Sequence, residues 1–83
     1  MAERAAVVTI LFTDLVGSTE LRARLGESAT TALLRAHTRH LEEAVRSRGG
    51  QVIKGLGDGI MATFGAASDA VAAAVAIQQA VTP

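Results

Sequence analysis

Residues 5–12 (Ala-Ala-Val-Val-Thr-Ile-Leu-Phe) form an apolar, β-branched run without alternation, and they lead straight to Asp14 and the small-residue turn Gly17-Ser18-Thr19. A strand of that composition asks for cover on both faces, so it predicts a central strand around which the rest of the chain must be arranged. With 83 residues, 49% of them hydrophobic, there is material for one small domain and no room for a second; chains near this size bury about 60% of their unfolded surface.

Beyond the turn, Ser18 or Thr19 is placed to cap a helix in which Leu21 and Leu25 fall one turn apart before Gly26 ends it. Ser28 can start a second helix. Its positions Leu33, Leu34, His37, Leu41, Ala44 and Val45 recur at helical spacing, Arg35, Arg39, Glu42, Glu43 and Arg46 fill the other face, and Gly49-Gly50 stops it. Two short strands, 51–54 and 60–64, flank the turn Gly55-Leu56-Gly57-Asp58-Gly59 and predict a hairpin. Ser68 or Asp69 caps a last helix, with Ala70, Ala74, Ile77 and Val81 as its stripe, widened by Val71 and Val75. The order β-α-α-β-β-α is that of an α+β fold, most of a ferredoxin-like split βαβ palm. Such a unit calls for one more strand beside the first, which would otherwise be an exposed apolar edge. Dimerisation, strand exchange or a larger domain of which residues 1–83 are a part is therefore expected.

Charge and composition exclude several classes of function. Eight basic and eight acidic residues cancel, so no broad field favours duplex DNA or an anionic membrane, and any anion must be held locally. Two phenylalanines, Phe12 and Phe64, are the whole aromatic content, too few for a single-stranded nucleic-acid stacking surface and most simply core residues flanking a site. Cysteine is absent, which removes disulfides, thiolate ligands and thiol nucleophiles. The longest apolar stretches, 5–12 and 70–77, fall far short of the roughly 20 residues that span a bilayer. The start lacks the features of a secretory signal, so a cytoplasmic location is expected.

The chemistry-bearing candidates cluster at two places. Residues 12–19 put the Asp14 carboxylate, the Leu15 carbonyl and the amides of Val16, Gly17, Ser18 and Thr19 within one turn. A hard divalent ion wants oxygen ligands, and a triphosphate wants amides at a helix start. The plainer reading is that Asp14 stabilises the turn and Ser18 caps the helix. Asp58, in the hairpin turn, is taken by itself more simply as half of a favoured Asp-Gly turn. If the two strands pair, however, the two acids meet, and paired carboxylates are how a two-metal site aligns an attacking and a leaving oxygen; without metal they would repel. Lys54 is either a solvated edge charge or a donor to a base edge. His37 and His40, three apart on a helix without a third ligand nearby in sequence, read as structural.

Residues 12–19, the element Lys-Gly-Leu-Gly-Asp-Gly-Ile-Met-Ala at 54–62 and the helical spacer between them resemble the first half of a class III adenylate/guanylate cyclase catalytic domain. The resemblance covers nearly the whole chain from Val7 onward and implies that 1–83 is the N-terminal half of such a domain. It implies that Asp14 and Asp58, with the Leu15 carbonyl, bind two magnesium or manganese ions per site. The amides of Val16, Gly17, Ser18 and Thr19 would then help hold the phosphates while the ribose 3′-hydroxyl attacks the α-phosphorus in line and pyrophosphate departs. Lys54 matches the purine-reading lysine of adenylate cyclases, which favours ATP over GTP. The family's head-to-tail arrangement implies a homodimer in which Asp14 and Asp58 of one chain work with Lys54 of the other.

The lysine's base-reading partner, the ribose-positioning asparagine and the transition-state arginine come from the family's second half and are not among these residues. The 83 residues alone are therefore expected to be inactive or nearly so. An alternative from another class is a degenerate nucleotide-binding or dimerisation module of a larger signalling protein. A palm-type diguanylate cyclase is a weaker fit, because Gly49-Gly50 continues into Gln51-Val52 rather than into the acidic signature of that group.

Overall fold

The computed structural model describes residues 7–56 and 58–81, with only the backbone described at Val81. Ala5 and Ala6 of the expected strand, Gly57 of the turn, the Val81 side chain and the two ends of the chain lie outside the described residues. The elements follow the expected order: β1 (Thr9–Phe12), α1 (Ser18–Leu25), α2 (Glu27–Ser47), β2 (Gln51–Gly55), β3 (Ile60–Phe64) and α3 (Ala67–Val81).

Strand order in the sheet is β1-β3-β2, with β3 antiparallel to both neighbours. β1 and β2 are thus parallel with β3 inserted between them, the split βαβ arrangement. Alternation along β3 sorts its residues: Ile60, Ala62 and Phe64 are buried, while Met61 and Thr63 are only half-buried. The buried set packs with Leu41 and Val45 of α2 and with Ala70, Ala73 and Ile77 of α3 into a single core. One face of the sheet is therefore covered by α2 and α3, whereas α1 packs on α2.

In this two-layer arrangement β3 is the central strand, not β1. β1 lies at the edge, its Leu11 turned to the core while Ile10 and Phe12 are 49% and 62% exposed. The unalternated sequence of β1 thus reflects an uncovered face and an open edge, and Phe12 is not a core residue; only Phe64 is. α3 departs from expectation in a similar way, because Ala73 rather than Val71 or Val75 completes its buried stripe. The two valines look outward.

None of the expected side-chain caps forms at α1 or α2. Gly17, in the left-handed region at φ 88°, precedes α1 and offers its carbonyl to the Leu21 amide at 3.0 Å, so the helix starts at Ser18 without using that hydroxyl. Gly26 closes α1 through its amide, 2.9 Å from the Arg22 carbonyl, and opens α2 through its carbonyl, which accepts from Thr30 at 3.1 Å. α2 consequently begins at Glu27, one residue before Ser28. In α3, Ser68 and Asp69 fall inside the first turn, since the helix begins at Ala67.

The β2–β3 register contains one irregularity. Val52 faces Ala62 and Lys54 faces Met61, so Ile53 is an extra residue bulged out of the ladder. Val52 shares the core side with Ala62, and the bulge carries Lys54 to the opposite side, with Met61 and Phe12.

Candidate metal and phosphate site

Just past the paired residues of β1, the ladder to β3 continues through one reciprocal pair of bonds. The Thr13 amide donates to the Ile60 carbonyl at 3.0 Å, and the Ile60 amide donates to the Thr13 hydroxyl at 2.9 Å. Beside this clamp the two chain segments touch. A Cβ built on Gly59 would stand 1.9 Å from the Thr13 carbonyl oxygen and 3.1 Å from the Asp14 Cα. Only a residue without a side chain permits that approach, and it is what sets Asp58 beside Asp14. Thr13→Val keeps the shape but removes the acceptor from a buried amide; we expect a loss of about 1–3 kcal/mol in urea unfolding, and an unchanged midpoint would show that the clamp carries no stability.

The electrostatics of Asp58 reflect this crowding. The hydroxyl of Ser18, reaching over from the start of α1, is the main influence holding the Asp58 carboxyl below the ordinary carboxylate range. Hydrogen bonding with Asp14 and with its own amide, and the positive charge of Arg22, act in the same direction against partial desolvation. Asp14 Oδ1 in turn accepts from the Leu15 amide at 3.0 Å, which fixes the start of the loop. The hydroxyl of Ser18 thus serves the acid rather than the helix end.

Asp14, Leu15 and Asp58 offer oxygen donors of the kind a hard cation requires. Among the described residues no group of three or more His, Cys, Asp or Glu side chains could hold a metal. A cation here would rest on two carboxylates, main-chain oxygen and substrate oxygens, which suits magnesium, an ion commonly held by one or two carboxylates plus substrate phosphates. Next to the acids, Val16 and Gly17 form the turn, and Ser18 and Thr19 open α1 with amides that have no partner in the preceding turn. Lys54 is exposed on β2, beyond β3, and among the described residues it forms no ion pair with either aspartate.

Sequence reasoning missed Thr13 and Arg22 and gave Gly59 no role of its own. A glycine directly preceding a strand, opposite the end of another, was the available signal for close backbone approach; nothing in the sequence announced Arg22. His37 and His40 border a cavity of about 290 Å³ between α2 and α3, with Leu41, Ala76 and Ile77 among its walls. No helix among the described residues is long and apolar enough to cross a membrane.

Comparison with known proteins gives the family and the fold. Residues 1–81 match the family described as the adenylate and guanylate cyclase catalytic domain. A Rhizobium meliloti (strain 1021) protein named "Putative adenylate cyclase 3" is 39% identical over 77 residues, covering 93% of this chain and 13% of that protein. Among solved structures, a bacterial light-regulated adenylyl cyclase superposes with a TM-score of 0.81 at 23% identity, over 88% of this chain and 22% of its own. At that identity the superposition speaks for the fold; the chain spans only a small part of either relative. Since the family match extends through both aspartates and nearly the whole sequence, the protein belongs to the adenylate and guanylate cyclase catalytic domain family.

Proposed function

We propose that this chain is the N-terminal half of a nucleotide cyclase domain and supplies the metal-binding part of a site that converts ATP to cyclic AMP and pyrophosphate, acting in the cytoplasm as a homodimer. The observation that carries the reading is the contact of Gly59 with Thr13 and Asp14, which puts two acids from distant parts of the chain side by side. Asp14, Asp58 and the Leu15 carbonyl would hold two magnesium or manganese ions. Bound there, the ions supply activation of the ribose 3′-hydroxyl and neutralisation of phosphate charge. The amides of Val16, Gly17, Ser18 and Thr19 orient the phosphates at the positive end of α1. Lys54 donates to the purine ring, and its position beyond β3 suits service to the partner's aspartates rather than to its own.

In the assay that tests this, ATP and manganese are given to the 83-residue chain alone and to a polypeptide joining it to a cyclase second half. Cyclic AMP is expected from the longer polypeptide, and at least about a thousandfold less from the short one, the scale on which phosphoryl transfer suffers when a transition-state cation is lost. Robust turnover by the short chain would refute the shared-site reading. Silence of the longer one would leave only a binding or dimerisation module.

A further inference from the structure

Helices α1 and α2 meet along a groove of about 450 Å³, lined by Arg22 of α1 and by Thr31, Arg35, Thr38 and Arg39 of α2. Arg35 and Arg39 are one helical turn apart and both exposed, so their guanidinium groups overlook the same stretch of groove. The ion pairs among the described residues are Arg22 with Glu27 at 3.6 Å and Arg46 with Glu42 at 3.8 Å, and neither engages Arg35 or Arg39. Glu42, the one carboxylate on the groove, leans on Arg46. The Glu27 side chain is 80% exposed, so its hold on Arg22 is screened by water. In a chain whose charges cancel, this is a local cationic surplus beside two hydroxyls.

We propose that the groove binds a pyrophosphoryl-bearing anion, either free pyrophosphate or the polyphosphate tail of a nucleotide, at a site separate from the carboxylate pair. Guanidinium forks match phosphate oxygens two at a time, and threonine hydroxyls add further donors. A multiply charged anion meets all three arginines together, as a small monovalent one does not. Leu34 is the groove's single large apolar residue, which is too little for docking a helix, since that mode needs several apolar anchors in a row. Arg22 connects the two regions, because its charge reaches Asp58 while its side chain lines the groove. An anion leaving the aspartates would meet these cations next; that placement rests on the cyclase reading, whereas the binding itself does not.

Calorimetric titration of the 83-residue chain with sodium pyrophosphate and, separately, with ATP, both in EDTA at low ionic strength, tests the proposal. Saturable binding of at least one of the two is expected, weakened about tenfold or more by the double replacement Arg35→Gln and Arg39→Gln, and unchanged by Asp14→Asn. Binding of pyrophosphate only would assign the groove to released product, and binding of ATP only to a second nucleotide; either supports the site. The two single replacements, each expected to weaken binding severalfold, serve if the double variant loses its helical circular dichroism. No saturation by either anion, equal affinity in the arginine variants, or loss of binding in Asp14→Asn overturns the proposal. Because EDTA removes divalent ions, failure of the metal reading would leave this outcome unaffected.

Discussion

Asp58→Asn is expected to weaken manganese binding by at least about 100-fold, more than the loss of a residue that merely supports a metal ligand would cause. Among the described residues the cluster holds two carboxylates, so if they bind the cation as proposed, removing one leaves it one formal charge and main-chain oxygen. Asp14→Asn should do the same, and the double variant should be little worse than either, because the residues act as a unit. Manganese paramagnetic resonance on the wild type and the three variants reads this directly. Affinity equal to the wild type in both single variants would detach the acids from metal altogether.

The same replacement has a pH signature. Since folding lowers the Asp58 carboxyl below its ordinary value of 3.8, ionised Asp58 favours the folded state. That contribution is fully present above the unfolded value and is lost as pH falls through the lower folded one. The melting-temperature difference between wild type and Asp58→Asn should thus be constant near neutrality and shrink under strongly acidic conditions. A difference that grows on acidification would reverse the sign of the argument.

The second large effect is expected at Gly59→Ala. The new methyl would lie 1.9 Å from the Thr13 carbonyl oxygen and 2.7 Å from the carbonyl carbon, and both are main-chain atoms that cannot rotate away. Relief requires β1 and the hairpin to part, which breaks the 3.0 Å and 2.9 Å bonds between Thr13 and Ile60. Overpacking of about 1–3 kcal/mol together with two lost hydrogen bonds at about 1 kcal/mol each gives a total near 3–5 kcal/mol. That is a large share of the stability of a small domain. Urea unfolding measures it, and a change below about 1 kcal/mol would mean that the segments are not in contact. Manganese affinity should fall in parallel, although no ligand has been touched.

These two positions show how much of the molecule was legible in its sequence. Asp14 and Asp58 could be singled out because each carboxylate sits among glycines beside an apolar run, and the element order followed from periodicity and turn residues. Their convergence was conditional on strand pairing that no local pattern dictates. β1 is the exposed apolar edge expected where no further strand pairs with it, but its uncovered face and the outward Phe12 were not legible, because Ile10 and Phe12 are as apolar as core residues and composition does not reveal whether a face is covered. Helix starts were misplaced because Gly17, taking the left-handed turn, made the neighbouring hydroxyl unnecessary as a cap and left Ser18 available to Asp58. Arg22 was illegible, since its relevance depends on α1 folding back beside the hairpin turn.

On the proposed reading of Lys54 as the donor to the purine, the extra residue at Ile53 bears on how nucleotide preference could be altered. In an unbroken ladder, position 54 would look into the hydrophobic interior alongside Ile60; the offset instead gives it the outlook of Met61. Because the main chain dictates that outlook, any side chain installed at position 54 inherits it. If Lys54 faces the purine as proposed, a single codon there would retune selectivity without disturbing the scaffold, whereas inserting or deleting one residue between positions 52 and 54 would turn that side chain to the other face of the sheet.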